Sequence, residues 1–142
     1  MKILLDTSVI VELDRKNQDV IKILKKAIED EHELFISIIT FTEILTGAYL
    51  RKDVKASVLE AKRILGQFIW VQFNTEMAEK TSQYLAYLLT KGSKIEFQDV
   101  CIAATFHVNH IDYLLTLNKS HFEILPDLKG KVYAPKEFEK LF

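Results

Sequence analysis

The chain has 142 residues, 49% of them hydrophobic and 27% charged, the size and makeup of one globular domain (1–142) with a full core and no room for a second. Its 19 basic and 20 acidic side chains leave a formal charge of −1, so no global positive field marks a nucleic-acid binder, and any such binding must come from a local patch. The single cysteine, Cys101, excludes an internal disulfide framework and a cysteine-based zinc site. The opening residues up to Asp6 are too short for a secretory apolar region, and no apolar run approaches a membrane span, so a soluble, cytoplasmic protein with no membrane contact is expected.

In chain order, Lys2 to Leu5 reads as a buried strand, closed by Asp6, Thr7 and Ser8 as a helix cap. A short helix from Val9 to about Arg15 follows, then a second from Asp19 to Asp30 with Val20, Ile21, Leu24, Ala27 and Ile28 on its apolar side. Leu34 to Ile38 predicts a strand, Thr40 to Arg51 a helix, and Val54 to Phe68 a further amphipathic helix. Ile69 to Phe73 predicts a third strand and Thr75 to Leu89 a helix; Lys91, Gly92 and Ser93 then break the pattern. A helix around Asp99 is followed by strands at Tyr113 to Leu117 and Lys131 to Tyr133, and Pro135 opens a last helical turn ending at Phe142. Strands that are apolar along their whole length, alternating with helices, imply an α/β three-layer sandwich with a short central parallel sheet flanked by helices. With four glycines and no glycine-rich loop, a phosphate-binding loop or dinucleotide fingerprint is excluded.

Four polar residues interrupt this pattern where ligands collect. From Ile95 to Phe106 the apolar residues Ile95, Ile102, Ala103 and Phe106 share one helical stripe, and Asp99 sits within it. A buried carboxylate there must be neutralised, paired or bound to a metal. Asp6 follows the first strand, at the carboxyl edge where open parallel sheets bind ligands, although it is also a natural helix cap. Glu43 closes a capping box by pattern, Thr40-Phe41-Thr42-Glu43, yet it shares a face with Ile39, Gly47 and Leu50, and Gly47 would allow another element to approach. Asn118 ends the strand Tyr113–Leu117; a turn residue is the plain reading. Ser93 to Glu96 is a second capping box, for which the structural reading is preferred; His121 could reach a phosphate or be an ordinary surface histidine, and His32, His107 and His110 are assigned no chemistry. Carboxylates converging without lysine or arginine between them repel, and oxygen ligands select a hard ion, Mg²⁺ or Mn²⁺, that activates water for phosphodiester hydrolysis.

These segments resemble PIN-domain ribonucleases, most closely the VapC-type toxins of prokaryotic toxin–antitoxin pairs. The resemblance spans Ile3-Leu4-Leu5-Asp6-Thr7-Ser8-Val9, the run from Ser37 through Glu43 to Ala48, the run from Asp99 to Thr105, and Leu115 to Phe122. It implies a single PIN-like domain and Mg²⁺- or Mn²⁺-dependent endonucleolytic hydrolysis of RNA. It further implies Asp6 and Asp99 as direct metal ligands, Glu43 binding through water or activating the nucleophile, and Asn118 completing the shell. Thr7, Ser8 and Thr116 would orient ligands or waters. Asn118 stands where an aspartate is common, and one negative charge fewer bears on a second metal rather than the first. Arg15, Arg51, Lys52, Lys55, Lys62, Arg63, Lys91, Lys94 and Lys119 are candidates for a phosphate-binding rim. Similar proteins form homodimers and are held inactive by a small antitoxin protein, whose apolar docking surface here would include Leu13, Phe41, Tyr49 and Leu50. Two alternatives compete: a non-catalytic PIN-like domain that binds RNA or protein, and a phosphotransfer α/β enzyme. The second lacks its acid pair, since Ser8 stands where a second aspartate is required.

Overall fold

The computed structural model describes residues 1–141. Among these, five parallel strands form one sheet: β1 (Lys2–Leu5), β2 (Glu33–Ser37), β3 (Ile69–Val71), β4 (Tyr113–Leu115) and β5 (Val132–Tyr133), in the spatial order β3-β2-β1-β4-β5. The helices are α1 (Thr7–Asp14), α2 (Gln18–Glu29), α3 (Ile38–Tyr49), α4 (Val54–Leu65), α5 (Thr75–Thr90), α6 (Phe97–Val108), α7 (Lys119–Glu123) and α8 (Pro135–Glu139), with a 3-10 turn at Pro126–Leu128. The expected three-layer α/β sandwich is present.

Alternation along the strands divides the core in two. Ile3 and Leu5 of β1, with Leu34 and Ile36 of β2 and Leu115 of β4, meet Val9, Ile10, Leu24, Ile64 and Phe138 from α1, α2, α4 and α8. Leu4 and Leu114 face the opposite side, against Tyr84, Leu88, Val100, Ile102 and Phe122 from α5, α6 and α7. All three apolar residues of β1 are fully buried, so the central strand has no solvent side. Truncating any of them to alanine would cost about 2–5 kcal/mol. β1 pairs with β2 through Ile3↔Leu34 and with β4 through Ile3↔Tyr113, and the chain departs from it toward both flanks. The carboxyl ends of β1 and β4 thus border the switch point where parallel sheets bind ligands.

Several element ends differ from expectation, each for a pairing reason. α1 begins at Thr7, not Val9, because the Asp6 carbonyl accepts from the amides of Val9 and Ile10. α3 begins at Ile38 because the Ser37 hydroxyl caps the Ile39 amide. Asp53 caps α4 through the Ala56 amide, and that helix stops at Leu65, short of Phe68. β3 ends at Val71 because β2, its neighbour, ends at Ser37. Likewise β4 ends at Leu115, the last residue opposite β1. α6 begins at Phe97, leaving Ile95 ahead of it, and α7 and the 3-10 turn were not foreseen. The expected end of the last turn, at Phe142, lies outside the described residues.

Candidate active site

Asp6 stands immediately beyond β1, where its amide donates to the Leu115 carbonyl at 2.9 Å and draws the ends of β1 and β4 together. It is the first cap residue of α1 by backbone, but its side chain caps nothing. Instead Asp6 Oδ2 accepts from Ser8 Oγ and Thr116 Oγ1, both at 2.7 Å. Main-chain amides orient those two hydroxyls: Leu117 N donates to Ser8 Oγ and Asn118 N to Thr116 Oγ1, each at 3.0 Å, so the hydroxyl protons are left for the carboxylate. Asp6 is 2% exposed, and its other oxygen, Oδ1, is buried with no hydrogen-bond partner. An ionised oxygen in that condition is costly unless a cation or a donor compensates it.

Glu43 projects from α3 and is half-buried. The capping box expected at Thr40 does not form, because Thr40 already lies inside the helix. Glu43 Oε1 accepts from Thr7 Oγ1 at 2.9 Å, and Thr40 Oγ1 lies 3.0 Å from the same Thr7 hydroxyl. Since Thr7 has one proton to give, Thr40 is the donor of the second bond. Burial pushes the Glu43 carboxyl above its usual range, against the Thr7 bond, and the charges of Asp6, Asp99 and Glu96 push in the same direction.

Asp99 occupies the first turn of α6, with its side chain 18% exposed and Oδ2 3.1 Å from His121 Nδ1. Its carboxyl too is raised, first by burial and further by Asp6 and Glu96, while His121 opposes the shift. Asp6, Glu43 and Asp99 therefore share one electrostatic field at one sheet edge, with no lysine or arginine among the main influences on Glu43 and Asp99. Among the described residues no three His, Cys, Asp or Glu side chains are drawn tightly enough together to form a ready-made metal site. The carboxylates act on one another through their charges without closing on a point.

Asn118 lies at the same edge, exposed, tied in through its main-chain amide rather than its side chain. Two residues stand at this edge in roles other than those expected from the sequence. Glu96 does not cap α6, although it is the residue before it; one helical turn before Asp99, its charge reaches both Glu43 and Asp99. His121, three residues beyond Asn118, approaches Asp99 because α7 turns it back. The i to i+3 spacing of both pairs was the available signal.

A cleft of about 320 Å³ beside Glu43 is lined by Thr7, Val11, Asp14, Arg15, Gly47 and Arg51. No element approaches Gly47, contrary to expectation; a Cβ there would meet nothing within 4 Å. Of the candidate rim cations, Arg51 pairs with Asp14 at 2.6 Å, Arg15 with Glu12 at 3.2 Å, Arg63 with Glu60 at 2.6 Å and Lys119 with Glu137 at 3.0 Å. Tyr49 and Leu50 are exposed, whereas Leu13 and Phe41 pack against the core, Phe41 edge-on to Trp70.

Residues 3–127 match the family model described as PIN domain. A search among curated proteins returns no match. Among solved structures, FitAcB from Neisseria gonorrhoeae is 28% identical, with a TM-score of 0.77 over 94% of this chain and 98% of that one. VapBC2 from Rickettsia felis, solved bound to a DNA fragment from their promoter, is 19% identical with a TM-score of 0.85, over 94% and 98%. VapC20 from Mycobacterium tuberculosis, described as a sarcin-ricin loop cleaving toxin, is 17% identical with a TM-score of 0.59, over 79% and 86%.

Proposed function

The chain belongs to the PIN-domain family, and from that premise we propose that it is a divalent-metal-dependent endoribonuclease, the toxin of a VapC-type toxin–antitoxin pair. The observation that carries the proposal is Asp6 Oδ1, an anionic oxygen buried without a partner in a field shared with Glu43 and Asp99. The residues present fit a hard cation: Asp6 and Asp99 as direct ligands, with Glu43 and Asn118 through water. Bound there, Mg²⁺ or Mn²⁺ would polarise a phosphoryl oxygen and make a water molecule more acidic.

The chain's own groups supply the rest. Ser8 and Thr116 hold Asp6 Oδ2, so the carboxylate cannot swing. Thr7 occupies Glu43 Oε1, which leaves Oε2 to accept the proton of the attacking water. A carboxyl raised by burial is a stronger base than an ordinary glutamate, which suits that role near neutral pH. Water adds to phosphorus, its proton passes to Glu43, and the bond to the 3′ oxygen breaks as that oxygen takes a proton from solvent.

The description of VapC20 as a loop-cleaving toxin supports cleavage, and the two-component VapBC2 assembly supports an antitoxin as partner. The proposal takes the chain as a single PIN-like domain over 1–142, acting as a cytoplasmic homodimer; no described helix is long and apolar enough to cross a membrane. The exposed Tyr49 and Leu50 are proposed as part of the antitoxin surface. The test is cleavage of structured RNA by partner-free protein with Mg²⁺ or Mn²⁺, with a chelator and Asp99→Asn as controls. Divalent-dependent cleavage lost in the variant is expected. Metal binding without cleavage would overturn the proposal in favour of a non-catalytic RNA- or protein-binding domain.

A further inference from the structure

Three threonines lie on α3, and one of them uses its hydroxyl differently from the others. Thr42 Oγ1 donates to the Ile38 carbonyl at 2.9 Å and Thr46 Oγ1 to the Thr42 carbonyl at 2.8 Å, each reaching four residues back. Thr40 is only the third residue of the helix, so no helical carbonyl stands four positions behind it. Its side chain is fully buried, and among the described residues its hydroxyl meets Thr7 Oγ1 alone, 3.0 Å away on α1. Thr7 Oγ1 donates in turn to Glu43 Oε1 at 2.9 Å. One proton serves one bond, so Thr40 donates to Thr7 and Thr7 to Glu43. The path leaves α3, crosses to the first residue of α1 and returns to α3 about one turn further on.

We infer that Thr40 is a positioning residue for the proton-accepting Glu43: its buried hydroxyl occupies a lone pair of Thr7 and so aims the single Thr7 proton at Glu43 Oε1. The inference rests on the nuclease reading above and adds to it a residue that, being fully buried, touches no substrate. Without the Thr40 proton the Thr7 hydroxyl is free to rotate, and water competes for it because Thr7 is only partly buried. The Glu43 carboxylate then turns as well. Its second oxygen, Oε2, is no longer presented in one direction, and the alignment on which proton transfer depends is lost.

The test uses the full chain with Mn²⁺ and compares wild type with Thr40→Val, which keeps the shape, and Thr40→Ser, which keeps the hydroxyl. Melting temperatures confirm folding, and Thr40→Ala replaces the valine variant if that one does not fold. Thr40→Val should lower kcat for structured RNA by about tenfold with KM unchanged, and Thr40→Ser should recover most of that loss. Placed on Thr7→Val, the same change should cost less than about twofold, because the path is already cut. In the metal-free protein the side-chain carboxyl ¹³C resonance of Glu43 should move in Thr40→Val, and should stay in place when Thr7→Val is already present. An unchanged kcat, a full tenfold loss on the Thr7→Val background, or a carboxyl resonance indifferent to Thr40 would overturn the inference and leave the nuclease reading intact. Absence of cleavage by wild type would overturn that reading, and the resonance would then decide by itself whether Thr40 reaches Glu43.

Discussion

Replacing Thr116 by valine isolates the hydroxyl that holds Asp6. Thr116 is fully buried, and its Oγ1 donates to Asp6 Oδ2 at 2.7 Å, with Asp6 only 2% exposed, so solvent does not screen the bond. A hydrogen bond to a charged acceptor contributes about 1.5–3 kcal/mol, and valine nearly matches threonine in shape, so little cavity cost is added. The Asn118 amide loses its acceptor as well, but Asn118 is exposed and water replaces it. Thr116→Val is thus expected to lower unfolding stability by about 2 kcal/mol, a drop of roughly 6 °C in Tm for a chain of this length. Urea denaturation at pH 7 measures it, and the double mutant with Asp6→Asn identifies the partner: without the charge, the cost of Thr116→Val should fall below about 1 kcal/mol. A cost under about 0.5 kcal/mol, or the same cost in both backgrounds, would refute the claim that Thr116 serves an ionised Asp6.

Three further outcomes are expected. Glu43 and Asp99 both carry carboxyls raised above their usual range, so in the metal-free protein each contributes stability that is full below about pH 4 and lost as pH rises through the raised value. Wild type minus Glu43→Gln, measured by denaturation from pH 4 to 8, should therefore fall with pH; a flat or rising difference contradicts the shift. Mn²⁺ or Mg²⁺ should raise Tm in proportion to the logarithm of its concentration, stabilising by about 2.7 kcal/mol at a hundred times Kd, and Asp6→Asn or Asp99→Asn should abolish the effect. Equal shifts in wild type and variants would place the ion elsewhere. Tyr84 is 5% exposed and its hydroxyl donates to Asp127 Oδ2 at 2.8 Å, tying the 3-10 turn to α5. Tyr84→Phe should cost about 1 kcal/mol in thermal unfolding, and no loss would mean that Lys80, 3.3 Å from the same oxygen, suffices for Asp127.

The elements were legible where one physical signal dominates. Ile3, Leu4 and Leu5 are apolar with no polar alternation and form the buried central strand; the period of Val20, Leu24 and Ala27 marks α2. Short-range patterns misled where a distant residue competes. Glu43 carries a capping-box signature, but Thr7, 36 positions earlier, is its hydrogen-bond donor. Glu96 carries the same signature and leaves its helix uncapped. His121 reads in the sequence as a phosphate contact or a surface residue, and its approach to Asp99 depends on α7, a five-residue helix too short to show periodicity. Asn118 was read as a side chain and is tied in by its main chain. Local chemistry identifies which residues are unusual, whereas their partners depend on strand order, which no local signal encodes.

The pairing of β1 with β4 joins residues separated by more than a hundred positions, and the Asp6–Thr116 bond spans 110. In the order of the chain, Asp6 meets Ser8 at once but Thr116, its second hydroxyl donor, only when β4 has been made. A fragment ending between α6 and β4 would carry Asp6, Glu43 and Asp99 and still lack Thr116, one of the two hydroxyls that hold Asp6. Strand order thus makes the alignment of Asp6 a property of the completed sheet rather than of its first half.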